Sequence, residues 1–265
     1  MTLVVCDVDG TLVDKQKRLS EATVAAVTRL RAHGFGFTLI SARPMSGMMA
    51  LAERLGLDVP MGAFNGGIVF RRDGSIAEHH TIPPEVARGV FEAVDDAAVD
   101  RWVFADDRWY ASTDQGVHVD HERIASAQEP VVRAGFDDLL DRADKITFVS
   151  DDRELLVALA ERVKPFADRA TIVQSQVYYL DVTARTANKG DGIAALAHAI
   201  GVPLTKTIAI GDQANDLAMF ARAGRSIAMG NATDAVKAEA DDVTTANDAD
   251  GVAHAIDNLI LGRMM

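Results

Sequence analysis

Leu3-Val4-Val5-Cys6-Asp7-Val8-Asp9-Gly10-Thr11 runs four apolar residues straight into two carboxylates and a glycine. An uninterrupted apolar run of this length predicts a parallel strand buried on both faces, and open α/β sheets bind ligands outside the carboxyl ends of such strands. Taken alone, DxDGT also fits an ordinary acidic turn, because Asp and Gly are common after any strand. Two further strand ends repeat the pattern. Phe35 to Ile40, entered from Gly34, ends in Ser41-Ala42-Arg43-Pro44, and Thr207-Ile208-Ala209-Ile210 ends in Gly211-Asp212-Gln213-Ala214-Asn215-Asp216. Lys189, in Asn188-Lys189-Gly190-Asp191, opens a segment whose apolar residues Ile193, Leu196, Ala197 and Ile200 have helical spacing. A cation in a first helical turn opposes the helix dipole by roughly 0.3–1 kcal/mol, so a compensating anion is expected beside it, such as a phosphate next to ionised Asp7.

The 265 residues are 48% hydrophobic, enough for a substantial core in one large domain or two small ones. With 27 basic against 39 acidic residues the net charge is −12, which argues against a nucleic-acid partner in the absence of a basic cluster. No 18-residue apolar stretch and no basic leader with a cleavage site is evident, so no membrane association and a cytoplasmic location are expected. Cys6 is the only cysteine, which rules out an internal disulfide. Its neighbouring carboxylates and its burial favour packing over nucleophilic chemistry.

Ser20-Glu21 is expected to cap a helix carrying Val24, Val27 and Leu30 and stopping at Gly34, and Pro44 to open another reaching about Leu55. Asn65-Gly66-Gly67 reads as a turn between short strands. This βαβα order predicts a doubly wound, mostly parallel Rossmann-like α/β core. From residue 82 the pattern changes. Alternation in Arg101–Ala105, Trp109–Ala111, Lys145–Val149, Thr171–Val173 and Val177–Val182, interrupted by a helical Glu154–Val163, predicts an α+β insert with an antiparallel sheet. The core is therefore expected over 1–81 and 187–265, with the insert over 82–186, and a last helix over about Asp250–Leu261. All the tyrosines and tryptophans lie in the insert and read mainly as its core. Tyr178 and Tyr179 are adjacent, so one of them should face away from that core, where it would be available to a substrate.

In order along the chain, DVDGT, SAR, NKGDG and GDQAND resemble the four motifs of the haloacid dehalogenase superfamily, and the later AMGNA and the string near Asn247 are similar to its Cof-type phosphatases. The likeness spans nearly the whole chain and is weakest in the insert, which resembles the large C2-type cap of that group. Ser41 stands where many members have Thr, keeping the hydroxyl, and Ala42 where Gly is usual; Val8 in place of Leu is neutral to the chemistry.

The resemblance implies a Mg2+-dependent phosphatase acting on small phosphate esters, sugar phosphates or phosphorylated cofactors, through an aspartyl-phosphate. A carboxylate is already charged at neutral pH, so Asp7 suits the nucleophile, with Asp9 as the acid and base for the leaving group and for water. Asp7 and Asp212 are the expected carboxylate ligands of Mg2+, which prefers oxygen and usually takes one or two carboxylates. By resemblance Asp9 adds its backbone carbonyl, and Asp216 orients a water of the ion or sits behind its ligands. Ser41, Lys189, Asn215 and the loop N–H groups near Gly10 are the expected phosphate donors. Arg43 reads equally as a substrate contact or an ion pair, and Asn65 as a site residue or a turn requirement. His118-Val119-Asp120-His121 lacks a third ligand for zinc and is expected to be solvent-exposed, and His79 and His80 receive no role. A phosphomutase of the same superfamily would share every core residue. A non-catalytic phospho-acceptor would use similar aspartates but needs neither the insert nor Asp9, and a binding module that lost activity fits poorly with every catalytic position filled.

Overall fold

The computed structural model describes residues 1–264. Its strands are β1 (Leu3–Asp7), β2 (Gly36–Ile40), β3 (Met61–Ala63), β4 (Ile68–Phe70), β5 (Ile76–His79), β6 (Asp100–Ala105), β7 (Arg108–Ala111), β8 (Val131–Val132), β9 (Ala143–Val149), β10 (Ala170–Gln176), β11 (Tyr179–Ala184), β12 (Thr207–Gly211), β13 (Arg225–Ala228) and β14 (Asp242–Val243). The α-helices are α1 (Glu21–Ala32), α2 (Ser46–Arg54), α3 (Pro84–Ala93), α4 (Val119–Ser126), α5 (Arg153–Val163), α6 (Lys189–Ile200), α7 (Leu217–Phe220), α8 (Asp234–Ala238) and α9 (Gly251–His254). Two units divide the chain: Met1–Ala42, Met48–Glu78 and Asn188 onward form one, and Arg43–Gly47 with His79–Ala187 the other.

In the first unit an eight-stranded sheet has the order β14-β13-β12-β1-β2-β3-β4-β5. The strands from β14 to β3 run parallel, and β4 turns back antiparallel to β3. Every residue of β1 is buried, and the apolar run Leu3–Cys6 is what a strand covered on both faces requires. Leu3 and Val5 pack with Ile193, Leu196 and Met219. Val4 and Cys6 are equally buried and point to the opposite face, as the two-residue period of a strand dictates. Removing Ile193 or Leu196 from water contributes about 1.5–3 kcal/mol each, and this fixes α6 to the sheet.

Local signals set the helix ends. Ser20 caps α1 by accepting from the Thr23 N–H at 3.1 Å, and Gly34, at φ +81°, follows its C-terminus. Asn188 caps α6 through the Asp191 N–H at 2.9 Å. The Asn65-Gly66 turn packs directly on the first turns of α6. A Cβ on Gly66, whose φ is +94°, would lie 2.4 Å from the Gly192 Cα, so no side chain fits there. After α9 the chain continues in π-helical turns over Ala255–Ile260 and 3₁₀ turns over Leu261–Met264, in place of one regular helix to Leu261. Likewise α2 begins at Ser46, two residues after the Pro44 expected to open it.

In the second unit a six-stranded sheet has the order β10-β11-β9-β6-β7-β8, antiparallel except between β7 and β8. One face, with Val103, Ile146, Phe148, Leu180 and Val182, packs on Val86 and Val90 of α3 and on Leu156 and Leu159 of α5. The alternate residues carry a second cluster in which Trp102 lies 5.0 Å from Trp109 and 5.3 Å from Tyr179 between ring centroids. Lys145 is buried beside it, 3.2 Å from Asp181, which also accepts from the Thr147 hydroxyl at 2.7 Å. A buried ion pair persists only when its remaining lone pairs find such partners.

Three expectations for this unit change. The strand expected from Val177 begins at Tyr179, because residues 177 and 178 turn the β10–β11 hairpin. His118 is not solvent-exposed: it stacks on Tyr178 at 3.6 Å and contacts Asp151 at 2.7 Å, and His121 is half-buried with its ring edge toward Tyr178. His79, given no role from sequence, contacts Asp144 at 2.5 Å, whose carboxyl burial pushes up to about 6.

Candidate active site

Strand register assembles the site. β1 pairs with β2 so that Asp7 is opposite Ile40, and with β12 so that Cys6 is opposite Ile210. Asp7, Ser41 and Asp212 therefore emerge together at the carboxyl edge of the sheet, where the chain diverges from β1 toward strands on either side. Asp7, Asp212 and Asp216 are buried and each offers an oxygen within 4.8 Å of the others. Lys189, also buried, donates to Asp7 Oδ1 at 2.6 Å and Asp216 Oδ1 at 2.5 Å. The anion expected beside this lysine is thus a pair of carboxylates of the chain itself.

Each acid is held by a different kind of group. Asp216 Oδ2 accepts from the backbone N–H of Asp212 at 2.8 Å and of Gln213 at 2.9 Å, which locks the turn after β12. Asp212 accepts from the Thr11 hydroxyl at 2.9 Å and from the Asn231 amide at 3.3 Å. Asn231 also donates to the Gly10 carbonyl at 2.9 Å and accepts from the Asn247 N–H, while Asn247 holds the Val13 carbonyl at 2.8 Å. Gly10 has φ +85°, and a Cβ there would stand 2.4 Å from Asp212 Oδ2. Glycine is therefore needed both for the turn and for the approach of that carboxylate.

The remaining sequence-predicted residues fall as follows. Asp9 lies outside the three-acid cluster, and its Oδ1 accepts from Lys17 Nζ at 2.5 Å. Ser41 is buried, Asn215 is exposed in the turn after β12, and Asn65 has a buried Oδ1 without a hydrogen-bond partner. Arg43, Tyr178 and Tyr179 belong to the second unit. There Arg43 donates to the Gly47 carbonyl at 3.0 Å, Tyr178 stacks on His118, and Tyr179 is buried. Thr11, Lys17, Asn231 and Asn247 are given no role by the sequence. Thr11 and Asn231 stood inside DVDGT and AMGNA, but which group each would touch depends on residues about 200 positions away.

Three acids around one ammonium leave the site short of positive charge. Burial drives the Asp7 carboxyl up to about 8, with Asp216 and Asp212 adding and Lys189 opposing. Burial likewise drives Asp212 up to about 6, with Asp216 adding and the Thr11 hydrogen bond opposing. For Lys189 burial acts downward, but Asp216 and Asp7 outweigh it and raise its value. Cys6 next door is raised well above the ordinary thiol range, first by burial and then by Asp7, and is inert. An all-oxygen, electron-rich donor set of this kind fits a hard divalent cation. Between about pH 4 and pH 8 the folded chain retains carboxyl protons that the unfolded chain has released, so metal-free stability falls as pH rises. Thermal melts in chelator should accordingly drop from pH 5 to pH 8, and added Mg2+ should raise the melting temperature more at pH 8 than at pH 5. A pH-independent effect of Mg2+ would place its binding elsewhere.

Among the described residues, no helix is long and apolar enough to cross a membrane. The family model for haloacid dehalogenase-like hydrolases matches residues 4–256. Phosphatase YwpJ of Bacillus subtilis is 27% identical over 286 residues, covering 98% of this chain and 100% of that protein. A haloacid dehalogenase-like hydrolase from Bacteroides thetaiotaomicron superposes with a TM-score of 0.89 at 26% identity, covering 98% of this chain and 99% of that one. The subclass IIB sugar phosphatase BT4131 shares the fold, with a TM-score of 0.83 at 23% identity over 98% of this chain and 99% of that one. The strand order, the acidic edge and these likenesses converge: this chain belongs to the haloacid dehalogenase-like hydrolases, in their Cof-type group, and is a phosphatase.

Proposed function

We propose that the protein is a Mg2+-dependent phosphatase that hydrolyses small phosphorylated metabolites, sugar phosphates or phosphorylated cofactors, through an aspartyl-phosphate on Asp7. The observation that carries this reading is the buried Lys189 held between Asp7 and Asp216, with Asp212 in the same acidic cluster. Asp7 and Asp212 would hold Mg2+ by their carboxylates and Asp9 by its backbone carbonyl, with Asp216 behind them. When bound, the ion supplies the positive charge that lets an anionic nucleophile approach an anionic phosphoryl group.

The chain's own groups perform the chemistry. An Asp7 oxygen attacks phosphorus, the phosphorus–oxygen bond to the leaving group breaks, and Asp9 gives the departing alkoxide its proton. Water then cleaves the acyl phosphate while Asp9 takes a proton back, which regenerates both carboxyl groups. Lys189, the Ser41 hydroxyl, Asn215 and the N–H groups near Gly10 donate to the equatorial oxygens, where charge accumulates. The Asn65 Oδ1 that lacks a partner lies in the turn packed on Gly192 of α6 and offers a further polar position.

Release of inorganic phosphate from a panel of sugar monophosphates, phosphorylated cofactors and p-nitrophenyl phosphate, with Mg2+ or with chelator, tests the reading. Turnover of at least one natural monoester that chelator abolishes and Mg2+ restores is expected. Phosphate shifted within a hexose phosphate without release would identify a mutase instead, and turnover unaffected by chelator would overturn the metal dependence.

A further inference from the structure

Asp9 is held by a residue outside all four motifs. Lys17 lies eight positions on, and its ammonium donates to Asp9 Oδ1 at 2.5 Å with both side chains largely shielded, 21% and 33% exposed. The segment carrying Lys17 is a closed turn. Asp14 N–H donates to the Arg18 carbonyl at 3.1 Å and Lys17 N–H to the Asp14 carbonyl at 2.9 Å. The Asp14 carboxylate accepts from the N–H groups of Gln16 and Arg18, each at 2.9 Å. Lys17 itself has φ +61°, a left-handed conformation that long side chains rarely adopt. A bridge between Asp9 and Val13, with the Asn247 amide on the Val13 carbonyl, ties the base of this turn to the strand end. Ion pairs that keep some access to solvent contribute little to stability, so the pair by itself does not account for a strained backbone maintained by this many contacts.

We infer that Lys17 is the positioning residue for the acid–base carboxyl: by tethering Asp9 Oδ1 it keeps that side chain out of the three-acid cluster and presents Oδ2 to the leaving group. The inference rests on the phosphatase reading above. An ammonium can donate to Oδ1 whether or not Oδ2 carries a proton, so the tether holds through both halves of the cycle. Lys17 moves no proton itself. In the first half the proton passes from Asp9 Oδ2 to the leaving oxygen as the phosphorus–oxygen bond breaks, and in the second it passes from water to Oδ2.

Leaving-group dependence separates positioning from structure. An alkyl phosphate needs its proton, whereas p-nitrophenolate departs as a stable anion, and kcat/KM reports the steps up to that departure. Lys17→Met should lower kcat/KM by about 10–100-fold for an alkyl monoester and at most about threefold for p-nitrophenyl phosphate, with Lys17→Arg recovering most of the difference. Asp9→Asn should show the same asymmetry, larger, and Lys17→Met should melt within a few degrees of the parent protein. Equal losses on both esters would overturn the inference, as would a rise in KM alone, which would make Lys17 a substrate contact. An asymmetric Asp9→Asn beside a symmetric Lys17→Met would leave the phosphatase reading intact and remove only the role of Lys17. Failure of the parent protein to hydrolyse any ester would overturn both.

Discussion

Asp7→Asn should abolish turnover while leaving the fold at least as stable as before. The amide has nearly the same shape but cannot attack phosphorus, and removing the proposed nucleophile should cost at least about 10⁴-fold in kcat. Stability should not fall with it, because the substitution removes one of three like charges from a buried cluster in which ionised Asp7 is disfavoured. Lys189 keeps Asp216 as its partner at 2.5 Å. Phosphate release on the best monoester, together with thermal melts in chelator, measures both effects. A variant with parental turnover would exclude Asp7 as nucleophile, and one that melts far below the parent would mean that the carboxylate is structural.

Lys189→Met is expected to fail in both respects. It deletes the cation that bridges Asp7 and Asp216, leaving two buried carboxylates facing each other, and breaking a buried pair this way costs about 3–5 kcal/mol. In the proposed mechanism the same ammonium neutralises charge on the transferring phosphoryl group, so kcat should fall by about 10³-fold or more. Without Lys189 the Asp7 carboxyl holds its proton more tightly. Because Asp7 and Asp212 already titrate above their unfolded values, the instability should grow from pH 5 to pH 8 and be partly relieved by Mg2+. Lys189→Arg should not restore activity, since a planar guanidinium cannot occupy a slot that seats a point charge 2.6 Å and 2.5 Å from two different carboxylates. Parental stability in Lys189→Met would show that the pair carries no structural weight.

The core was legible because its strands announce themselves. A strand covered on both faces must be apolar throughout, so Leu3–Cys6 and Thr207–Ile210 could be read without knowing what covers them, and the polar residues that interrupt them had to fall at one edge. Helix ends were equally readable where a cap acts within four residues, as at Ser20 and Asn188. The insert was read less well, because its strands alternate and a two-residue error moves a side chain from strand to turn, as with Tyr178. His118 looked exposed because neither the stacking ring of Tyr178 nor Asp151 is near it in sequence.

The sequence by itself determined which residues gather at one edge of the sheet: carboxylates, a hydroxyl and a lysine placed at the ends of apolar strands and at a helix start, positions that local pattern alone identifies. Only the tertiary structure decided how those groups are paired. It placed Lys189 between Asp7 and Asp216, turned Asp9 toward Lys17, and set Asn231 as the strut joining Gly10, Asp212 and Asn247. The physical reason is one of range: backbone propensity and capping act over a few residues, whereas charge pairing and hydrogen bonding depend on distances that exist only once segments far apart in the chain have packed.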